Sequence, residues 1–157
     1  MAGTFINVET EGAEEFRAAL DLIRNRGQNL APVFADIGDY LRQAHDDRFK
    51  KQESPEGEPW KELSTAYLLH KKENKDRILV LRDHLAHWLN YEATAESLLF
   101  GSNLPYAATH QFGRGETTRK KTGTVYDAKI PARPFLGLSN DDLNEVKRLL
   151  GDWLLGE

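Results

Sequence analysis

The stretch NLAPVFADIGDYLRQAHDDRFKK, Asn29 to Lys51, sets the first limit on what this chain can become. Leu30, Val33, Phe34, Ile37, Tyr40, Leu41, Ala44 and Phe49 fall on one side of a helix of about six turns. Asn29 stands where a cap is needed, and Pro32 lies in the first turn, where a missing N–H costs little. Arg48, Lys50 and Lys51 suit the negative end of the helix dipole. A helix with so long an apolar stripe cannot bury it alone. The rest of the chain must supply the covering layer.

A chain of 157 residues can do this within one domain, burying about 70% of the surface its unfolded form exposes. Apolar residues make up 39% and charged residues 29%, so the surface is wetter than average. The net charge of −4 argues against a chain that binds nucleic acid over its whole surface. The chain has no cysteine, which excludes disulfides, thiol catalysis and zinc–thiolate sites. The opening MAGTFINVETEG has neither the basic patch nor the apolar run of a signal peptide. No apolar run approaches the roughly 20 residues of a membrane span. The expectation is a protein made and folded in a cytoplasm, without a membrane partner.

The remaining elements follow from periodicity and punctuation. Thr4 to Glu9 alternates and predicts a short strand, broken at Gly12. Glu14 to Arg26 predicts an amphipathic helix through Phe16, Ala19, Leu20 and Ile23, with Gly27 as its stop. Gln52 to Trp60 is a turn-rich loop whose tryptophan should dock on something. Ser64 caps a helix running toward Lys72, and Lys71 to Arg77 is a charged linker. Ile78 to Phe100 fits helix and strand alike. The preferred reading is a helical turn near Asp83, then two strands turning near Ala93 to Ala95. Leu104 to Phe112 predicts a short helix and Thr124 to Ile130 a strand. Ser139 caps a last helix, with Asp142 completing an imperfect capping box and Leu143, Val146, Leu149, Leu150, Trp153 and Leu154 on its apolar face. The class expected is α+β: a long N-terminal helix, a small antiparallel sheet and a C-terminal helix in one domain over 1–157.

Chemistry is sparse. His84 and His87 stand three apart and would align on a helix, yet no carboxylate motif accompanies them, so ordinary histidines are the better reading and no metal is expected. His110, in YAATHQFG, could serve as a general base. No serine, cysteine or paired acid stands at an interpretable spacing, so a packing role outweighs it. Gly113 and Gly115 around Arg114 resemble half a phosphate loop, but no Gly-Lys-Ser/Thr follows. No catalytic residue, cofactor or metal site is therefore expected. Arg114, Arg119, Lys120 and Lys121 form a basic cluster in a segment that reads as a flexible loop, or a hairpin projected from the fold, at about 114–128. It suits a protein partner, or DNA phosphates. In PARPF, Pro131 and Pro134 stiffen the chain and hold Arg133 and Phe135 ready for docking, or simply place Phe135 in the core.

PEGEPW (Pro55 to Trp60), YAATHQFG (Tyr106 to Gly113) and IPARPFLGLS (Ile130 to Ser139), in that order behind a long helix, resemble the phage virion morphogenesis family, the tail-completion protein S-like and Mu-like group. The resemblance runs from about Ile37 to the C-terminus. It implies a non-enzymatic structural protein of the virion tail or neck, assembled in the bacterial host cytoplasm. It would act in tail completion and head–tail joining. It also implies a ring of copies, a hexamer being the candidate size, that meets tail-tube, tail-terminator or head-connector proteins. The alternatives are a tail-terminator or head-closure component, a DNA-contacting module using the basic loop, and a hydrolase using His110. The candidate interface residues are Arg114, Arg119, Lys120, Lys121, Arg133 and Phe135.

Overall fold

The computed structural model describes residues 13–81, 84–121 and 124–156. Ten elements follow in order: α1 (Ala13–Gly27), α2 (Ala31–Lys51), α3 (Thr65–His70), α4 (His84–His87), β1 (Leu89–Ala93), β2 (Leu98–Ser102), α5 (Ala107–Phe112), β3 (Arg114–Lys121), β4 (Thr124–Ile130) and α6 (Asn140–Leu155). The class is α+β, as expected. The strand expected over Thr4 to Glu9 lies outside the described residues.

The long helix is the organising element. The N-cap is Leu30, not the expected Asn29, and has no side-chain capping bond; Asn29, one residue before it, accepts a hydrogen bond from the Ala31 N–H on its side-chain oxygen at 3.1 Å, and Pro32 lies in the first turn. Gln52 closes the other end in the left-handed conformation, its N–H bonded to the Arg48 carbonyl at 2.7 Å. The buried face is Val33, Ile37, Leu41, His45, Arg48 and Phe49. Its two halves serve two cores. Val33, Ile37 and Leu41 pack against Leu98 of β2 and Val146, Leu149, Leu150 and Trp153 of α6. Phe49 packs with Trp60, Val80, Leu85, Leu89, Ala107 and Phe135. Phe100 borders both and joins them. The fully buried Val, Ile, Leu and Phe side chains among them contribute about 1.5–3 kcal/mol each by burial.

β1 and β2 pair antiparallel, with Tyr91 opposite Phe100. Their turn is closed by Thr94, whose N–H bonds the Ser97 carbonyl at 2.8 Å and whose hydroxyl accepts from the Glu96 and Ser97 N–H groups. The hairpin lies close on α2, because α2 offers a glycine there. A methyl group at Gly38 would stand 2.5 Å from the Tyr91 ring. The Ser64 cap is present, accepting from the Tyr67 N–H at 3.3 Å, though its helix ends at His70. The Ser139–Asp142 capping box opens α6 with both reciprocal bonds made.

Of the two forms expected for the spacer at about 114–128, a flexible loop or a projected hairpin, the structure has the hairpin: a two-stranded antiparallel ribbon, β3 paired with β4 from Arg114 opposite Ile130 to Lys121 opposite Thr124. Thr124 to Ile130 was legible as a strand. Its partner, RGETTRKK, was not, because it has no apolar alternation and its pairing is carried by the backbone.

Candidate functional site: the clamp on Ile130 to Ser139

The segment that leaves the ribbon is held almost residue by residue. The Arg133 N–H donates to the His110 carbonyl at 2.8 Å. Its guanidinium points inward, Nε donating to the Lys61 carbonyl at 2.6 Å and Nη2 to the Glu62 carbonyl at 2.8 Å. The Trp60 indole N–H donates to the Pro134 carbonyl at 2.7 Å. Gln111 mimics a missing strand. Its Oε1 accepts from the Phe135 and Leu136 N–H groups, each at 2.9 Å, and its Nε2 donates to the Leu136 carbonyl at 2.9 Å. Phe135 is wholly buried, its ring 5.7 Å from that of Phe49.

Two glycines permit this closeness. A methyl group at Gly113, where φ is +76°, would stand 2.7 Å from the Ala132 nitrogen and 2.9 Å from the Ile130 oxygen. At Gly137 the same group would stand 2.8 Å from the Pro55 ring. PEGEPW, YAATHQFG and IPARPFLGLS thus meet in one place. Pro55 and Trp60 come from the first, His110, Gln111 and Gly113 from the second, and the third is the chain they hold.

Beneath the clamp lies a buried polar network. Arg48 pairs with Asp142 and donates to the Gly137 carbonyl at 2.9 Å. Asp142 also accepts from the Tyr40 hydroxyl at 3.0 Å and from the Ser139 N–H at 2.6 Å. Burial alone would raise the Asp142 carboxyl, but the Ser139 and Tyr40 hydrogen bonds and the Arg48 charge together hold it below the usual range. Tyr40 is pushed up to about 12 by burial and by its carboxylate partner. Arg48 can only donate, so it fixes the His45 tautomer: Nε2 accepts from Arg48 at 3.3 Å while Nδ1–H donates to the Leu41 carbonyl at 2.6 Å. Burial, assisted by the Arg48 charge, lowers His45 to about 4, so it is neutral near pH 7.

The candidate interface residues therefore separate. Arg133 and Phe135 are buried in the clamp, and neither side chain faces outward in the single chain. The Arg133 guanidinium, expected to stand ready for docking, is instead satisfied within the chain by the Lys61 and Glu62 carbonyls. Arg114 is exposed at the base of the ribbon. The backbones of Arg119, Lys120 and Lys121 pair with Tyr126, Val125 and Thr124 at the far end of β3, and their side chains lie outside the described part. His110 stands with its ring 6.0 Å from that of Tyr106, edge to face. Burial and the nearby Arg133 charge lower its pKa, and its Nδ1 has no hydrogen-bond partner among the described residues. The sequence reading missed Gln111, Arg48 and His45. For the last two the signal was present, since they continue the seam of Leu41 by four and seven residues.

The profile of the phage virion morphogenesis family matches residues 12–155. The chain belongs to that family. It is 28% identical over 148 residues to the Mu-like prophage FluMu G protein 2 of Haemophilus influenzae, covering 94% of this chain and 95% of that one. It is 26% identical over 145 residues to tail completion protein S of Escherichia phage P2, covering 87% and 95%. The Mu-like prophage FluMu G protein 1 of the same Haemophilus influenzae strain is 27% identical over 146 residues, covering 87% and 91%. No solved structure matches the chain. In this family member the three motifs converge on a packing device of backbone hydrogen bonds and aromatics.

Proposed function

We propose that this chain is a structural component of a phage virion that completes the tail and joins it to the head, as copies arranged in a ring at the neck. The observation that supports this most is the use to which the motif residues are put. They lock a platform and project from it a ribbon that carries five cations, Arg114, Arg119, Lys120, Lys121 and Lys129, against two acids, Glu116 and Asp127. A ring needs two different patches on each copy. The ribbon supplies one, and the acidic remainder of a chain whose net charge is −4 supplies the other. The neighbours are tail-tube, tail-terminator or head-connector proteins, and the place of action is the virion. His110 has a packing role, as part of the segment that holds Arg133.

The test is removal of the gene from its phage, followed by electron microscopy. Filled heads and separate tails, or tails with faulty ends, are the result expected. Joined particles of normal form would overturn the reading. The ribbon's charge also favours a second reading, contact with DNA. Binding of nonspecific DNA that weakens steeply with salt would support it, and the number of phosphates engaged follows from the slope.

A further inference from the structure

Between two fixed posts the chain makes a long excursion over the surface. The first post is Lys61 and Glu62, whose carbonyls Arg133 holds. The second is Val80, buried in the core of Phe49 and Trp60. From residue 63 to residue 79 the one buried side chain is that of Lys71. α3 lies within this stretch and buries no residue of its own. A segment of this kind opens at lower cost than the body, because little apolar surface ties it down.

Lys71 is a costly anchor. It is 4% accessible, yet its ammonium, which can donate three hydrogen bonds, meets one acceptor among the described residues, the Arg77 carbonyl at 2.5 Å. Burial lowers its pKa, and the Asp76 carboxylate offsets this only in part. The backbone is strained as well. Asn74 and Leu79 hold φ of +49° and +59°, a left-handed region that suits a bulky leucine least. Against these costs stands Gln52, whose amide donates to the Asp76 carbonyl at 3.3 Å and accepts from the Ile78 N–H at 2.5 Å. The half-buried Ile78 and Leu79 also pack against the core. Closed, the segment rests on a few polar bonds and a poorly solvated charge. Open, Lys71 regains water and the two left-handed residues relax.

We propose that residues 63–79 form a flap that opens as one unit while the rest of the chain stays folded, and that the buried ammonium of Lys71 sets how readily it opens. Opening bares the side of the core that Ile78 and Leu79 cover. Amide exchange of the full chain near neutral pH, followed by NMR, tests it. The Leu68 N–H, bonded to the Ser64 carbonyl, and the Ile78 N–H, bonded to Gln52, should share one opening equilibrium. Corrected for their intrinsic rates, both should exchange at least about a hundredfold faster than the Phe135 N–H in the clamp. Lys71→Met keeps most of the side chain's length and removes its charge. It should slow both amides about tenfold and leave Phe135 unchanged. An Ile78 amide as protected as that of Phe135, or Leu68 and Ile78 opening independently, would overturn the proposal. So would a Lys71→Met chain in which Ile78 exchanges as fast as before or faster. A Lys71→Met chain that fails to fold would overturn it too, since Lys71 would then anchor the whole body.

Discussion

At the scale of residues, Gln111 carries more than its size suggests. One amide meets three backbone groups of a segment more than twenty residues away. Gln111→Leu keeps the bulk and leaves those groups without partners, so it should cost about 3 kcal/mol, read as a lower urea midpoint. Gly113→Ala should cost at least about 2 kcal/mol, since a left-handed φ and two backbone contacts both oppose it. His45 makes stability depend on acid. Its pKa is about 4 when folded against 6.5 when free. Between those values the unfolded chain takes up a proton that the folded chain refuses, so stability falls as the pH drops through that window, by up to about 3 kcal/mol. His110, lowered by burial, adds in the same direction. Asp142, held low when folded, contributes stability above the ordinary carboxylate value of 3.8 and loses it as the pH falls below. His45→Gln should flatten most of the fall between pH 6.5 and 4, measured by urea unfolding across that range.

At the scale of elements, what could be read in advance was what periodicity and capping control. The long helix, the hairpin near Ala93 to Ala95 and the Ser139 capping box all appear at their expected places. The direction of Arg133 could not be read, because an arginine between two prolines is equally stiff facing in or out. Only the carbonyls of Lys61 and Glu62, remote in sequence, decide it. β3 was missed for a related reason, since a polar strand announces itself through its partner. The helix–hairpin layer makes its own prediction. Gly38→Val should separate β1 from α2, because the Tyr91 ring already occupies the space. A destabilisation above about 2 kcal/mol is expected, and Tyr91→Ala in the same chain should recover part of it.

At the scale of the whole molecule, two cores on one long helix make a platform, and a basic ribbon leaves it beside the clamp. The chain belongs to a family in which one relative is named for tail completion, and the role proposed above asks the platform to hold its shape during assembly. Buried hydrogen bonds to backbone hold that shape at the clamp. On the proposed function, platform and ribbon should be separable, the first serving folding and the second assembly. The measurement that tests it most directly is the rescue of a gene-deleted phage by a chain lacking Gly115 to Gly123, with a thermal melt of the same purified chain. A melt as cooperative as that of the intact chain, together with particles that still fail to assemble, is the result predicted. Full rescue, or a chain that no longer melts cooperatively, would contradict it.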